Sequence, residues 1–197
     1  GEDEIVLVTN RGMSLRCHEK AFRDQGRGTR GVTGIRPVPG DYVIGLEMVD
    51  TESTLLVVSE NGIGKRTSFE EYRLQNRGGK GIITMKCTEK TGKVIRAVSV
   101  LEKDEIMMMT STGQSVRIRV TEVRQAGRNT QGVKLMSLRS GEFIQDVARV
   151  ISEEDEDEVA AEVEADADLD VIVENEAASG EVTEETPDDT DSSTEEE

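Results

Sequence analysis

Apolar positions fall in short runs separated by glycine turns, and they recur. Ile5-Val6-Leu7-Val8, Leu55-Leu56-Val57-Val58 and Ile106-Met107-Met108-Met109 each open a unit of about fifty residues. Each run is followed by a turn: Asn10-Arg11-Gly12, Glu60-Asn61-Gly62 and Ser111-Thr112-Gly113. Short β-branched runs bounded by glycine are strand and hairpin signals. Asn61-Gly62 suits a tight hairpin, because both residues tolerate the positive φ of a primed turn. The pattern predicts four strands per unit, at 5–9, 13–18, 31–36 and 42–49 in the first, with equivalents in the others. The opening strand is apolar on both faces, which predicts a central, buried position. Stretches 19–23, 68–73 and 120–124 hold either a helical turn or a loop.

A repeat of 40–50 residues carrying four strands is the signature of a propeller blade. The predicted fold is therefore all-β and propeller-like, with three four-stranded blades at 1–52, 53–103 and 104–151. Residues 152–197 form a tail too acidic and too poor in apolar residues to fold alone, and disorder is expected there.

Charge sharpens this division. The net charge of −17 suggests an acidic protein, but residues 151–197 hold 22 of the 41 Asp and Glu and none of the 24 Lys and Arg. The remaining body is net positive, 24 basic against 19 acidic residues. Such asymmetry points to nucleic-acid contact or to an acidic regulatory tail. The tail reads either as a solubilising extension or as a polyanion that competes with nucleic acid for the body.

Basic residues also recur in register. Arg16, Arg66 and Arg117 each lie four residues past the turn glycine, and Arg27, Arg77 and Arg128 lie eleven further on. Arg23, Arg73 and Arg124 form another series. The second of these sits in a loop reading Gln25-Gly26-Arg27-Gly28-Thr29-Arg30-Gly31, Gln75-Asn76-Arg77-Gly78-Gly79-Lys80-Gly81 and Ala126-Gly127-Arg128-Asn129-Thr130-Gln131-Gly132. Glycine lets backbone N–H groups approach a phosphate, and arginine adds a planar, permanently charged donor. One such loop would read as an ordinary turn. Three at fixed register set basic groups at intervals around a rim, a way to hold a polyanion of regularly spaced charge. The loop glycines singled out are Gly26, Gly31, Gly78, Gly79, Gly81, Gly127 and Gly132. Arg27, Arg30, Arg77, Lys80 and Arg128 are the first candidates for phosphate contact, with Arg16, Lys65, Arg66, Arg117 and Arg119 second. One recurring arginine series is expected to be structural, fastening carbonyls of a neighbouring strand.

Other chemistry finds little support. Cys17 and Cys87 are far apart and in no CxxC arrangement, which reads as free packed thiols. His18 has no triad or metal-set companions, so no catalytic residue, metal site or cofactor is assigned. Tyr72 shares a register with Phe22 and Val123 and reads as core, as does Tyr42; Met107–Met109 read as core filler. Aromatic residues make up 3% of the chain, too few for a platform that stacks single strands, so duplex is the expected partner. No apolar run approaches the ~20 residues of a membrane helix, and the chain opens without a signal or transit peptide. A cytoplasmic setting is expected, as is a place within a longer protein.

The stretches Gly64-Lys65-Arg66-Thr67, Ile106-Met107-Met108-Met109-Thr110 and Val123…Gly127-Arg128-Asn129-Thr130-Gln131-Gly132-Val133, with the acidic tail behind them, resemble the C-terminal end of the bacterial DNA gyrase A protein. The resemblance implies the last three blades of a six-bladed β-pinwheel whose blades exchange strands and whose basic rim wraps duplex DNA. It implies a part of a type IIA topoisomerase that biases strand passage towards negative supercoils, near the nucleoid. The partners would be duplex DNA, the rest of the gyrase A protein and the gyrase B protein, with ATP and magnesium bound elsewhere in the intact enzyme. The breakage-reunion domain has no counterpart here, so neither Tyr42 nor Tyr72 inherits its active-site role. Residues 75–81 are similar to the gyrase A box, Gln-Arg-Arg-Gly-Gly-Lys-Gly, with Asn76 the one departure, and read as a blade-repeat echo of it. The rival readings are a topoisomerase IV-type tail that guides substrate and a propeller that binds proteins.

Overall fold

The computed structural model describes residues 2–150. Eleven strands carry the described fold: β1 (Glu4–Thr9), β2 (Met13–His18), β3 (Val43–Met48), β4 (Thr54–Ser59), β5 (Ile63–Ser68), β6 (Ile82–Ile83), β7 (Val94–Val100), β8 (Glu105–Thr110), β9 (Ser115–Arg119), β10 (Val133–Lys134) and β11 (Ile144–Val150). They form three antiparallel sheets in the orders β3-β1-β2-β6, β10-β5-β4-β7 and β11-β8-β9. The opening strand of each repeat lies centrally, as its apolar character requires.

Each of the first two sheets takes its outer strand from the following repeat. Ile82 and Ile83 of the second repeat pair with Ser14 and Met13 of the first. Val133 and Lys134 of the third pair with Gly64 and Ile63 of the second. The third sheet has three strands among the described residues. The expected strand at 31–36 is reduced, among the described residues, to one bridge, Ile35 to Gly79. The stretches after the second strands are single 3-10 turns, Glu19–Ala21, Phe69–Glu71 and Val120–Glu122.

Alternation of side chains sends one face of each sheet towards each neighbour. Val6 and Val8 pack against Leu55 and Val57, together with Phe69, Tyr72, Met85 and Ala97. The opposite face of the second sheet, Leu56 and Val58, packs against Ile106 and Met108. Leu7, Leu15, Cys17 and Ile35 make a smaller cluster on the first sheet's other face. The last strands β3, β7 and β11 pack against one another, so they form the inner side and the exchanged strands form the outer side.

Tyr72 is core, as expected: it is 1% exposed, its hydroxyl lies 2.6 Å from Thr84 Oγ1, and burial pushes the phenol up. Two other expectations are corrected. Tyr42 is exposed, because it precedes an inner edge strand rather than lying under a sheet. Of the three methionines only Met108 is buried; Met107 and Met109 point from the third sheet's uncovered face. Cys17 and Cys87 are free, and burial pushes both thiols up. The tail expected to be disordered lies outside the described residues. No helix among the described residues is long and apolar enough to cross a membrane.

Candidate nucleic-acid interface

The exchanged strands place the Gly/Arg loops on the outer edge. Loop 75–81 leads into β6 and loop 126–132 into β10, so each loop crosses onto the preceding repeat before its strand pairs there. Gly81 and Gly132 make the crossing possible. Their φ values are +77° and +89°, and a Cβ would lie 2.3 Å from Ser14 O at Gly81 and 2.6 Å from Gly64 O at Gly132. Gly79 lies over Leu15, and Gly127 over the Glu71 carboxylate. Gly26 and Gly31 have open space around them, and Gly78 only a loose backbone neighbour.

The arginine series divide by function. Arg16 donates from Nε to Glu4 at 2.5 Å, and from Nη1 to the carbonyls of Phe69 at 2.7 Å and Tyr72 at 3.2 Å. Arg66 repeats the reach one repeat later, donating from Nε to Val123 O at 2.8 Å and from Nη1 to Glu102 at 2.6 Å. This is the structural series: each guanidinium ties a sheet to the 3-10 turn of the next repeat. Arg117, the third member, pairs with Glu105 and stays exposed.

Lys65 is also corrected as a phosphate ligand. It is 0% exposed, and its Nζ donates to Gly127 O at 2.5 Å and Arg128 O at 2.6 Å. Burial lowers its pKa to about 8, with the Glu71 carboxylate acting in the opposite direction. Arg16 and Arg66 leave the contact set for the same reason: their donors face carbonyls inside the fold.

The loop arginines are placed differently. Arg77 donates from Nε to Ala21 O at 2.7 Å and from Nη1 to Thr33 O at 3.1 Å, yet its side chain is exposed. Arg128 donates from Nη1 to Ile83 O, the position equivalent to Thr33, and its backbone N–H donates to Glu71. Both guanidinium groups are braced against the preceding repeat with donors left over, since each carries five. Arg27, Arg30, Lys80 and Arg119 are exposed, and no hydrogen bond or ion pair ties their side chains to a described residue.

The structure adds two cations to this edge. The backbone N–H of Arg36 donates to Gly79 O, and that of Lys86 donates to Thr130 O, so both exposed side chains flank a Gly/Arg loop. Their fifty-residue spacing, five residues past Gly31 and Gly81, is the signal in the sequence that locates them. No cluster of three or more metal-ligating side chains occurs among the described residues. The arrangement offers braced and free cations along one edge, suited to a polyanion.

Comparison with known proteins places this edge in context. A family model described as "DNA gyrase C-terminal domain, beta-propeller" matches residues 3–50, 53–100 and 104–151. The chain is 43% identical over 155 residues to the DNA gyrase A protein of Aminobacterium colombiense, covering 79% of this chain and 19% of that protein. It is 42% identical over 158 residues to the DNA gyrase A protein of Escherichia coli K12, covering 79% and 18%. It thus spans about a fifth of the length of these relatives. Among solved structures, a DNA gyrase A C-terminal domain aligns with a TM-score of 0.71 and 27% identity over 76% of this chain and 51% of that one. The C-terminal domain of a DNA topoisomerase IV shares the fold, with a TM-score of 0.76 and 22% identity, covering 84% and 52%.

Proposed function

Because this chain belongs to the DNA gyrase C-terminal domain family, we propose that it binds duplex DNA along its outer edge and bends it into a wrap. The observation that supports this reading is the recurrence of exposed cations on equivalent, glycine-shaped loops of successive repeats. Arg77 and Arg128 act as braced phosphate ligands, and Arg27, Arg30, Lys80 and Arg119 as mobile ones. Arg36 and Lys86 join them from beside the loops. Arg117 contributes only when it leaves Glu105.

Base edges need not be read. A wrap requires neutralised phosphates and a duplex that bends acceptably, as on the nucleosome. Bending 20–30 base pairs by 40–90° costs about 1–6 kcal/mol, so several contacts must act together to offset it. In the intact topoisomerase the wrap presents a second duplex segment to the cleavage site and biases ATP-dependent passage towards negative supercoils. The cleavage chemistry, the gyrase B partner, ATP and magnesium belong to other parts of that assembly, and this domain makes and breaks no bonds. Truncation after Val150 separates the two readings of the acidic tail: higher duplex affinity at low salt makes it a competitor for DNA, and unchanged affinity makes it a solubilising extension.

Titration of a mixed-sequence duplex against salt tests the reading. Affinity should fall by several decades per decade of salt, at about −0.9 in the log–log slope per phosphate contacted. A slope near zero would refute it.

A further inference from the structure

One backbone donor on the basic edge is already taken by an anion. The backbone N–H of Arg128, in the middle of the Gly/Arg loop 126–132, donates to the Glu71 carboxylate at 2.9 Å. Glu71 ends the 3-10 turn Phe69–Glu71 and is exposed. A bond from a backbone N–H to an ionised carboxylate is charge-assisted. Backbone N–H groups in turns of this kind are also the donors that bind phosphate. A carboxylate oxygen here therefore stands where a phosphate oxygen would.

The loop is held without this bond. The N–H of Ala126 donates to Arg66 O at 2.9 Å, and Ala126 O accepts from Thr67 Oγ1 at 2.8 Å. Lys65 Nζ donates to the carbonyls of Gly127 and Arg128, and the N–H of Lys86 donates to Thr130 O at 2.9 Å. The Arg128 guanidinium reaches Ile83 O on its own. The second loop lacks the anion altogether. Ala21 ends the first 3-10 turn fifty residues before Glu71, and Arg77 Nε donates to its carbonyl. With no side-chain oxygen, Ala21 cannot cover the Arg77 N–H as Glu71 covers that of Arg128.

We propose that the backbone N–H of Arg128 is a phosphate site, and that Glu71 is an internal competitor that fills it until a duplex arrives. The inference rests on the reading of this edge as a duplex-binding surface. In place, the carboxylate closes a backbone donor and offsets one positive charge of the loop. Exposed charge contacts are weak and screened by salt, so a duplex presenting several phosphates at once displaces it readily. Loop 75–81, over Ala21, takes up phosphate with no carboxylate to displace from that position. The two loops are thus unequal, and the third engages only after Glu71 swings away.

Fluorescence anisotropy of a mixed-sequence duplex, titrated with the full chain at low and graded salt, tests this. Glu71→Ala should tighten binding by about two- to fivefold, the scale of one exposed charged contact. Glu70→Ala removes the same charge from the neighbouring exposed residue and should gain clearly less. In an Arg128→Ala background the gain from Glu71→Ala should persist, because the N–H remains when the guanidinium is gone. A gain that vanishes there means that Glu71 only screens the guanidinium, and overturns the N–H site. Equal gains from Glu70→Ala and Glu71→Ala, or no gain from Glu71→Ala, overturn it too. Ala21→Glu leaves the third loop untouched and should weaken binding, so it decides the matter if Glu71→Ala lowers the urea midpoint; unchanged affinity there overturns the proposal. Wild-type binding without salt dependence sinks the duplex reading and this inference together. Salt-dependent wild-type binding without these differences sinks this inference alone.

Discussion

The Nζ of Lys65 lies 2.5 Å from the carbonyl oxygen of Gly127 and 2.6 Å from that of Arg128, so a buried cation holds the third Gly/Arg loop from beneath. At the equivalent boundary Leu15 lies under Gly79, and the second loop rests on apolar contact instead. Replacing Lys65 with Met keeps the volume and leaves two carbonyls without donors, a loss of about 1–3 kcal/mol for a buried group. Amides at 126–132 should then exchange with solvent faster while those at 75–81 keep their protection. Equal acceleration in both loops would show that Lys65 acts on the whole fold.

The same side chain sets a pH dependence. Its pKa falls from 10.5 to about 8 on burial, so the unfolded chain binds the proton more tightly than the folded one. Stability rises with pH wherever the unfolded state holds more protons. Lys65 should therefore make the domain more stable as pH climbs from about 8 to 10.5, and contribute no slope below that window. Urea midpoints of the wild type and the Lys65→Met variant, compared across the window, should diverge in slope. Parallel curves would mean that the ammonium is not desolvated.

Arg66 and Arg30 separate stability from binding. Arg66 is 8% exposed, and its guanidinium joins the second sheet to Val123 of the third repeat. Arg66→Ala should cost about 1.5–3 kcal/mol for each charged hydrogen bond lost. Arg30→Ala, at an exposed side chain, should leave the unfolding midpoint within about 0.5 kcal/mol of wild type. Equilibrium denaturation distinguishes them. An unchanged midpoint for Arg66→Ala would remove it from the structural series.

Much of this was legible in the chain. Leu55-Leu56-Val57-Val58, apolar on both faces, marks a central strand, and fifty-residue recurrence marks the repeat. The expectation that one arginine series is structural was legible too, but which one was not. Arg16 and Arg77 carry the same charge and both meet carbonyls across a repeat boundary, and only the fold shows that the first is largely covered there while the second stays exposed. Lys65 was hidden because lysine is almost never fully buried unless paired, and its acceptors lie more than sixty residues away. The family resemblance implied exchanged strands, but the residues that make the exchange were hidden because Ile82–Ile83 is two residues long and Ile82 pairs with Ser14, sixty-eight residues distant. Met107 and Met109 read as core because apolar alternation states a preference for burial, whereas cover depends on what stands opposite.

Gly81 and Gly28 test the loop's backbone. A Cβ at Gly81 would meet Ser14 O at 2.3 Å with φ at +77°, whereas Gly28 has no atom within 4 Å and no positive φ. Gly81→Ala should lose at least about 1–2 kcal/mol from the left-handed conformation alone, with the carbonyl clash added. Gly28→Ala should be near neutral. Loss of the crossing would also free β6, so protection of the Ser14 and Ile82 amides is the local readout.

The contact set itself is tested by charge removal under graded salt. A phosphate ligand weakens binding to all sequences about equally and lowers the salt slope by roughly 0.9 when removed, because one fewer counterion is released. Arg30→Ala, Lys80→Ala and Arg36→Ala should each show that signature, since all three side chains are exposed on or beside a Gly/Arg loop. Arg77→Ala should show it with a modest loss of stability, because its Nε and Nη1 also brace Ala21 and Thr33. Lys65→Met should leave the slope unchanged, since its Nζ already serves two carbonyls. A reduced slope for Lys65→Met, or an unchanged one for the exposed set, would move the DNA path away from this edge.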